Sequence, residues 1–221
     1  MSAKTHISII LDRTGSMESI RDDVIGGFNT FLAEQKKEKD NTTLTLVQFD
    51  TQDPYEVIHW FKAIEEVSEL TVGTYVPRAM TPLLDAIGRG INDLEKSIAE
   101  MKKADRPDKV VMVIITDGQE NSSKEFKKDQ IVKMIKEKQK KYDWQFVFLS
   151  ADLDAIGDAA NYGFYNKSTM AFDKDGQGVK DAFLSLSYRL SDYKTDEVRD
   201  FSFSEEDRKK QKSEKKRPKT K

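Results

Sequence analysis

The stretch ISIILDRTGSM, residues 7–17, contains the strongest indication of the fold. Its first half is an apolar run rich in isoleucine, and its second half carries three oxygen-bearing side chains, Asp12, Thr14 and Ser16, spaced by two residues. A strand that is apolar on both faces is typical of the buried parallel sheet of an α/β protein. An aspartate where such a strand ends can be a helix cap, a catalytic acid or a metal ligand, and other parts of the sequence must distinguish these roles.

The composition indicates a globular protein with a heavily charged surface. The chain has 221 residues, of which 37% are hydrophobic and 34% charged, and this length suits one domain with a sizeable core. It contains no cysteine, which excludes disulfides, thiolate metal sites and cysteine nucleophiles. No apolar run reaches the roughly 18 residues that a membrane span requires, and no signal peptide is recognisable. We therefore expect a cytoplasmic protein without a membrane segment.

The charge is distributed unevenly along the chain. Residues 208–221 contain nine Lys or Arg and one Glu, whereas residues 1–207 contain 28 basic and 38 acidic residues. Beyond about residue 195 the apolar periodicity fades, so we predict a domain over 1–195 and a charged, disordered basic tail over 196–221. The tail can be a solubilising end, a weak and salt-sensitive nucleic-acid contact, or a docking segment for an acidic surface.

Strand and helix patterns alternate along the domain. Two of the strand segments are joined by the short turn TQDP, which predicts an antiparallel hairpin. The alternation predicts an α/β, doubly wound, mainly parallel six-stranded sheet with helices on both faces. Strands are predicted at 6–11, 42–50, 55–64, 108–118, 144–151 and 168–172, and helices at 17–39, 82–103, 124–142, 153–161 and 178–191.

Three fragments place oxygen-bearing side chains next to the ends of these elements. They are DRTGSM, RAMTPLLDAI and IITDGQEN, and they contribute Asp12, Thr14, Ser16, Thr81 and Asp117. In a doubly wound sheet, ligands bind outside the carboxyl ends of the strands. Two carboxylates and three hydroxyls suit Mg²⁺, Mn²⁺ or Ca²⁺, and water would complete the coordination. Such a site also leaves a position that a carboxylate from another molecule can take.

In these fragments the chain resembles the von Willebrand factor A-type (vWA) domain, and the three fragments resemble its metal-ion-dependent adhesion site (MIDAS). The family pattern is Asp-x-Ser-x-Ser, then a threonine on a second loop and an aspartate on a third. Thr14 stands where the pattern has its middle serine, and Ala79 and Met80 stand where many relatives have glycine. The resemblance covers about residues 6–191 and implies a Rossmann-like sheet with one antiparallel edge strand, at 55–62.

The resemblance implies a protein-interaction module rather than an enzyme. Mg²⁺ would bridge the site to an aspartate or glutamate of a partner protein, within a multiprotein assembly, and loops 73–80 and 119–123 would set partner specificity. Asp117 would bind the metal ion directly or through a water molecule. The identity of the partner does not follow from the resemblance.

Other interpretations of the same residues remain open. Thr14, Ser16 and Thr81 can cap helices, and Asp117 can be a turn residue before Gly118. A Mg²⁺-dependent phosphatase of the haloacid-dehalogenase type also has an aspartate after its first strand, but it needs a second aspartate where this chain has Thr14. The sequence contains no dinucleotide fingerprint and no phosphate-binding loop. The two histidines, at positions 6 and 59, are predicted to be structural.

Overall fold

The computed structural model describes residues 3–211, which form a six-stranded sheet with helices on both faces. The strands are β1 (Thr5–Asp12), β2 (Thr42–Phe49), β3 (Glu56–Ala63), β4 (Lys109–Thr116), β5 (Gln145–Ser150) and β6 (Thr169–Ala171). The helices are α1 (Arg21–Lys37), α2 (Leu83–Glu100), α3 (Lys128–Tyr142), α4 (Leu153–Asn161), α5 (Gly176–Lys194) and α6 (Glu205–Lys210).

The strand order confirms the predicted fold class. Across the sheet the order is β3-β2-β1-β4-β5-β6, and every pair is parallel except β2 with β3. Strands β2 and β3 follow β1 on one side of the sheet, and β5 and β6 follow β4 on the other. The switch point therefore lies between β1 and β4, and the crevice outside their carboxyl ends is the expected ligand position.

Strand β1 shows why both faces of the sheet must be covered. Ile7, Ile9 and Leu11 belong to the hydrophobic cluster that also contains residues of α1 and α5, whereas Ile10 belongs to the cluster formed with α2, α3 and α4. Successive side chains of a strand point to opposite faces, so a strand with apolar residues at both odd and even positions supplies both cores at once. All eight residues of β1 are buried.

The antiparallel edge strand is where the resemblance placed it. Its pairing with β2 is irregular, with register shifts between Leu44 and Leu46 and between Leu46 and Val47. Phe61 has a φ of +43°, and its amide donates to Thr45 Oγ1 at 3.1 Å rather than to the ladder. A β-bulge of this kind twists an exposed edge and hinders pairing with another chain.

Two helices begin later than the sequence pattern indicates. A 3₁₀ turn at Gly15–Ile20 precedes α1, so the regular helix starts at Arg21 instead of residue 17. Helix α3 starts at Lys128 instead of residue 124, because the amides of Lys124, Glu125 and Phe126 donate to the Asp85 carboxylate. These bonds hold residues 124–126 in a loop around the N-terminal part of α2.

The structure differs from the sequence-based boundary at residue 195. Phe201 is fully buried in the hydrophobic cluster of α1 and α5, and Phe203 is buried beside it. Helix α6 begins with a capping box of Ser204 and Asp207, and Arg189 of α5 donates to Asp207 at 2.8 Å. Residues 196–211 thus pack onto the domain, which corrects this part of the predicted tail. The remaining part, 212–221, lies outside the described residues.

Within residues 3–211, none of the helices combines the length and the apolar character that crossing a bilayer requires.

Candidate metal site

The predicted site residues follow the ends of two neighbouring strands. Asp12 is the last residue of β1, and Asp117 comes directly after Thr116, the last residue of β4. The third fragment places Thr81 two residues before α2. Asp12, Thr81 and Asp117 are all less than 10% exposed. The carboxyl ends of adjacent parallel strands meet at one edge, which explains why residues distant in sequence converge here.

Thr14, Ser16 and Asp117 form a chain of direct side-chain contacts, and the Thr81 hydroxyl lies near them across Gly118. Thr14 Oγ1 lies 3.2 Å from Ser16 Oγ, and Ser16 Oγ donates to Asp117 Oδ1 at 2.6 Å. A Cβ placed on Gly118 would lie 3.8 Å from Ser16 Oγ and 4.0 Å from Thr81 Oγ1. All three predicted fragments therefore contribute to one cluster.

The carboxylate of Asp12 is held on both oxygens. Its Oδ1 accepts from the Thr14 amide at 2.7 Å, and its Oδ2 accepts from Thr116 Oγ1 at 2.5 Å. Burial raises the pKa of the Asp12 carboxyl to about 7; these hydrogen bonds oppose the rise, and the charge of Asp117 adds to it. No motif in the sequence marks Thr116, although its place beside Asp117 at a strand end is a usable signal.

Buried contacts hold the backbone of the loop that follows β1. Tyr75 is fully buried, and its hydroxyl donates to the Asp12 carbonyl at 2.7 Å. Arg13 pairs with Asp50 at 2.8 Å, and Arg78 pairs with the same carboxylate at 2.9 Å. Burial alone would raise the pKa of Asp50, but backbone amides and these two guanidiniums hold it below its usual value. No motif in the sequence marked this support.

The Thr81 hydroxyl is not needed as a helix cap. The amides at the start of α2 are satisfied by other side chains, with Leu84 donating to Glu120 Oε2 at 2.9 Å and Asp85 donating to Ser123 Oγ at 3.1 Å. The Thr81 backbone pairs with Asn121, whose Oδ1 accepts from the Thr81 amide at 3.0 Å. Thr14 likewise precedes its 3₁₀ turn without a side-chain cap bond. The hydroxyls of Thr14 and Thr81 therefore do not cap helices.

Ala79 occupies the position where the adhesion-site pattern favours glycine. Its φ is +60°, in the left-handed region that side chains other than glycine adopt at a cost. Its carbonyl accepts from the Gly15 amide at 3.1 Å, and the backbone amide of Arg78 donates to the Arg13 carbonyl at 2.9 Å. These two bonds join the second loop to the first and make the strained backbone part of the site.

A lysine from a fourth segment also reaches the cluster. Lys174, which lies between β6 and α5, places Nζ 2.6 Å from Asp117 Oδ2. The Asp117 side chain is fully buried, whereas that of Lys174 is 38% exposed. Neither the sequence pattern nor the adhesion-site resemblance pointed to this residue.

The donor set fits a hard divalent cation. Two carboxylates and three hydroxyls are oxygen ligands of the type that Mg²⁺ takes together with water. Among residues 3–211, Asp117 Oδ2 is buried without a hydrogen bond of normal geometry, and the Lys174 ammonium lies 2.6 Å from it. In the part of the chain that the structure describes, no three Asp, Glu, His or Cys side chains group as metal ligands. A cation held here would therefore depend on the hydroxyls as well as the carboxylates.

Comparison with solved structures shows a vWA fold. The SpRpn10 VWA domain matches 82% of this chain over 94% of its own length, with a TM-score of 0.53 and 9% identity. The pilus adhesin SpaC from Lactobacillus rhamnosus GG matches 84% over 30% of its length, with a TM-score of 0.62 and 13% identity. Proximal thread matrix protein 1 from the mussel byssus matches 84% over 45% of its length, with a TM-score of 0.53 and 15% identity.

No protein-family model and no curated protein matches the sequence. At these identities the structural likeness shows the fold alone, and the site must be argued from its own residues.

Proposed function

We propose that this protein is a metal-dependent protein-interaction module that acts in the cytoplasm and is not an enzyme. The observation that carries the proposal is the convergence of Asp12, Thr14, Ser16, Thr81 and Asp117 at the switch point of the sheet. Two of the structures with this fold are those of a pilus adhesin and a thread matrix protein, which is consistent with a binding role.

The five residues would hold Mg²⁺, or Mn²⁺ or Ca²⁺, with water in the remaining positions. When bound, the ion supplies a positive charge that a carboxylate from an aspartate or glutamate of a partner protein can ligate. Thr116 and the Thr14 amide orient Asp12, and Tyr75 and Arg13 hold the loop that carries it. A preorganised set of ligands on rigid strands lowers the cost of binding the ion.

The loops around the cluster would determine partner specificity. Residues 73–80, with the exposed side chains Val76 and Met80, and residues 119–123, with the exposed Gln119 and Asn121, border the site. Their contacts with a partner would decide which acidic segment is accepted, because a carboxylate alone offers no specificity. The partner would belong to a multiprotein assembly.

The experiment is a capture of partners from lysate of the source organism. The wild-type protein with Mg²⁺ is compared with wild type in EDTA, with Asp12→Ala, and with Asp129→Asn as a control at an exposed position on α3. A partner retained by wild type and Asp129→Asn in Mg²⁺, and lost with Asp12→Ala and in EDTA, supports the proposal. A partner indifferent to EDTA and to Asp12→Ala refutes a metal-bridged contact.

The phosphatase alternative has a weaker basis in this site. Its general acid would stand at position 14, where Thr14 instead pairs with Ser16 through its hydroxyl. Turnover of a generic phosphate ester with Mg²⁺, abolished by Asp12→Asn and not by Asp129→Asn, would favour the enzyme. We expect no turnover above the rate without protein.

A further inference from the structure

Lys174 contributes a cation to a site that is otherwise built from oxygen ligands. Its ammonium lies 2.6 Å from Asp117 Oδ2, a carboxylate oxygen that has no hydrogen bond of normal geometry. Asp12 lies in the same buried cluster, and its charge and that of Asp117 repel each other. The lysine therefore offsets part of a negative charge that burial makes costly.

The backbone that carries Lys174 is anchored on both sides. The Phe172 amide donates to the Ser150 carbonyl at 2.9 Å, and the Asp173 amide donates to Gln211 Oε1 at 3.1 Å. Asp175 caps α5 by accepting from the Gly178 amide at 2.8 Å. The lysine thus starts from a defined position, while its partly exposed four-carbon side chain can swing toward solvent.

The pairing places the ammonium and a divalent ion in competition for one carboxylate. A cation that uses Asp117 must share its charge with Lys174 or displace the ammonium into water. Displacement is feasible because Lys174 is 38% exposed and its charge can be rehydrated. Losing this pair would subtract from the free energy gained when the ion binds.

We propose that Lys174 is a built-in competitor for the divalent cation, which lowers the metal affinity of the site and replaces the ion as counter-charge when it leaves. This inference rests on the proposed metal site and adds a residue that sets its affinity. It makes the loading of the site depend on the divalent-ion concentration instead of leaving the ion permanently bound. The adhesion-site motif contains no such residue.

The test measures Mg²⁺ binding to the full chain by isothermal titration calorimetry. The variants are Lys174→Met, which keeps the length without the charge, and Lys174→Arg, which keeps the charge. Lys180→Met is the matched control, since Lys180 is exposed on α5 and the variant changes the net charge equally. We expect Lys174→Met to lower the Kd for Mg²⁺ about three- to tenfold, and the other two to stay within about twofold of wild type.

Thermal unfolding supplies a second readout that does not depend on the calorimetric signal. In EDTA, Lys174→Met is expected to have a lower Tm than Lys180→Met, because the buried Asp117 carboxylate loses its ion-pair partner while Asp12 stays close to it. Saturating Mg²⁺ should remove the difference between them. Lys174→Gln replaces Lys174→Met if the latter does not fold.

The outcomes separate this inference from the metal site itself. An equal Kd for wild type and Lys174→Met, or a weaker one for the variant, overturns the competitor role and leaves the site in place. Binding by Lys174→Met but not by wild type supports the competitor role. If neither protein binds Mg²⁺, both the proposed site and this inference are refuted.

Discussion

Thr116, the last residue of β4, donates a 2.5 Å hydrogen bond to Oδ2 of Asp12, the last residue of β1. The bond joins the two strands at the switch point and fixes the orientation of the buried carboxylate. An outer residue that orients a ligand commonly changes metal affinity 10- to 100-fold when it is removed.

Replacing this hydroxyl by a methyl group tests its role in the site. We expect Thr116→Val, which preserves shape, to weaken Mg²⁺ binding about tenfold or more in isothermal titration calorimetry. Thr5→Val is the control at the opposite end of β1, where Thr5 Oγ1 makes no hydrogen bond within residues 3–211. Unchanged Mg²⁺ affinity in Thr116→Val would show that Asp12 does not depend on this bond.

Ala79→Gly should relieve backbone strain in the loop that carries Thr81. Because Ala79 has a φ of +60°, we expect the free energy of unfolding to rise by up to about 1 kcal/mol, partly offset by the greater entropy of the unfolded chain. Urea denaturation measures this change. Ala33→Gly, within the regular helix α1, should instead lower the stability by about 1 kcal/mol. A loss of stability in Ala79→Gly would contradict the strain.

Adjacent glycines of α1 should respond to alanine in opposite directions. A Cβ on Gly27 would lie 2.4 Å from the Phe183 ring, whereas a Cβ on Gly26 meets nothing within 4 Å. We expect Gly27→Ala to cost about 1–3 kcal/mol through overpacking between α1 and α5. Gly26→Ala should add up to about 1 kcal/mol from helix propensity. Thermal or chemical unfolding of both variants checks the contrast, and similar values would contradict the close approach of these helices.

Phe201 should behave as a core residue even though it lies in the segment that the sequence assigned to the tail. Its side chain is fully buried, so Phe201→Ala is expected to lower the free energy of unfolding by about 3–5 kcal/mol. Arg199→Ala, at an exposed position two residues earlier, should stay within about 0.5 kcal/mol of wild type. A small effect at Phe201 would restore the boundary at residue 195.

His6 should make the protein less stable in mild acid. Burial lowers its pKa to about 3, and its ring stacks on Phe61 at 3.8 Å with Nδ1 2.9 Å from Thr43 Oγ1. Between about pH 6.5 and pH 3 the unfolded chain binds a proton at this histidine that the folded protein does not bind, so stability falls as the pH falls.

The slope of stability against pH measures this effect. We expect His6→Gln to reduce the slope by about 1 kcal/mol per pH unit between pH 6 and pH 4, as measured by urea denaturation. The control is His59→Gln, since His59 is only partly buried on the edge strand and should contribute less. Parallel curves for wild type and His6→Gln would show that folding leaves the pKa of His6 unchanged.

Much of the fold follows from local patterns in the sequence. The run from Ile7 to Leu11 predicts a strand buried on both faces, because apolar residues at successive positions are characteristic of a parallel sheet covered on both sides. The alternation of strand and helix segments then predicts the doubly wound topology, and the TQDP turn predicts an antiparallel hairpin. The resemblance to the vWA domain implies that the second strand of this hairpin lies at the edge of the sheet. Each of these inferences needs only contacts between residues near in sequence or the general rules of sheet packing.

The starts of α1 and α3 were less predictable for a physical reason. The helical periodicity of residues 124–142 continues past the true start of α3, but the Asp85 carboxylate competes for the amides of Lys124, Glu125 and Phe126. A distant acceptor of this kind leaves no local signal, because its effect depends on where α2 packs.

Segment 196–211 was misassigned for a related reason. Its two phenylalanines, Phe201 and Phe203, are isolated among polar residues and show no amphipathic period. They are buried because the core formed by α1, α5 and the sheet leaves space for them, which is a property of the assembled fold. The charged residues nearby form a capping box and a pair with Arg189 rather than a solvated tail.

By itself, the sequence determined the parallel sheet, its antiparallel hairpin and the five oxygen-bearing residues proposed to bind metal, since strand ends and short motifs are encoded locally. Only the tertiary structure decided that Thr116 holds Asp12, that Ala79 has a positive φ and accepts from the Gly15 amide, and that Lys174 pairs with Asp117. These contacts join segments far apart along the chain. Their energies depend on burial and distance, which exist only after the sheet has brought the segments together.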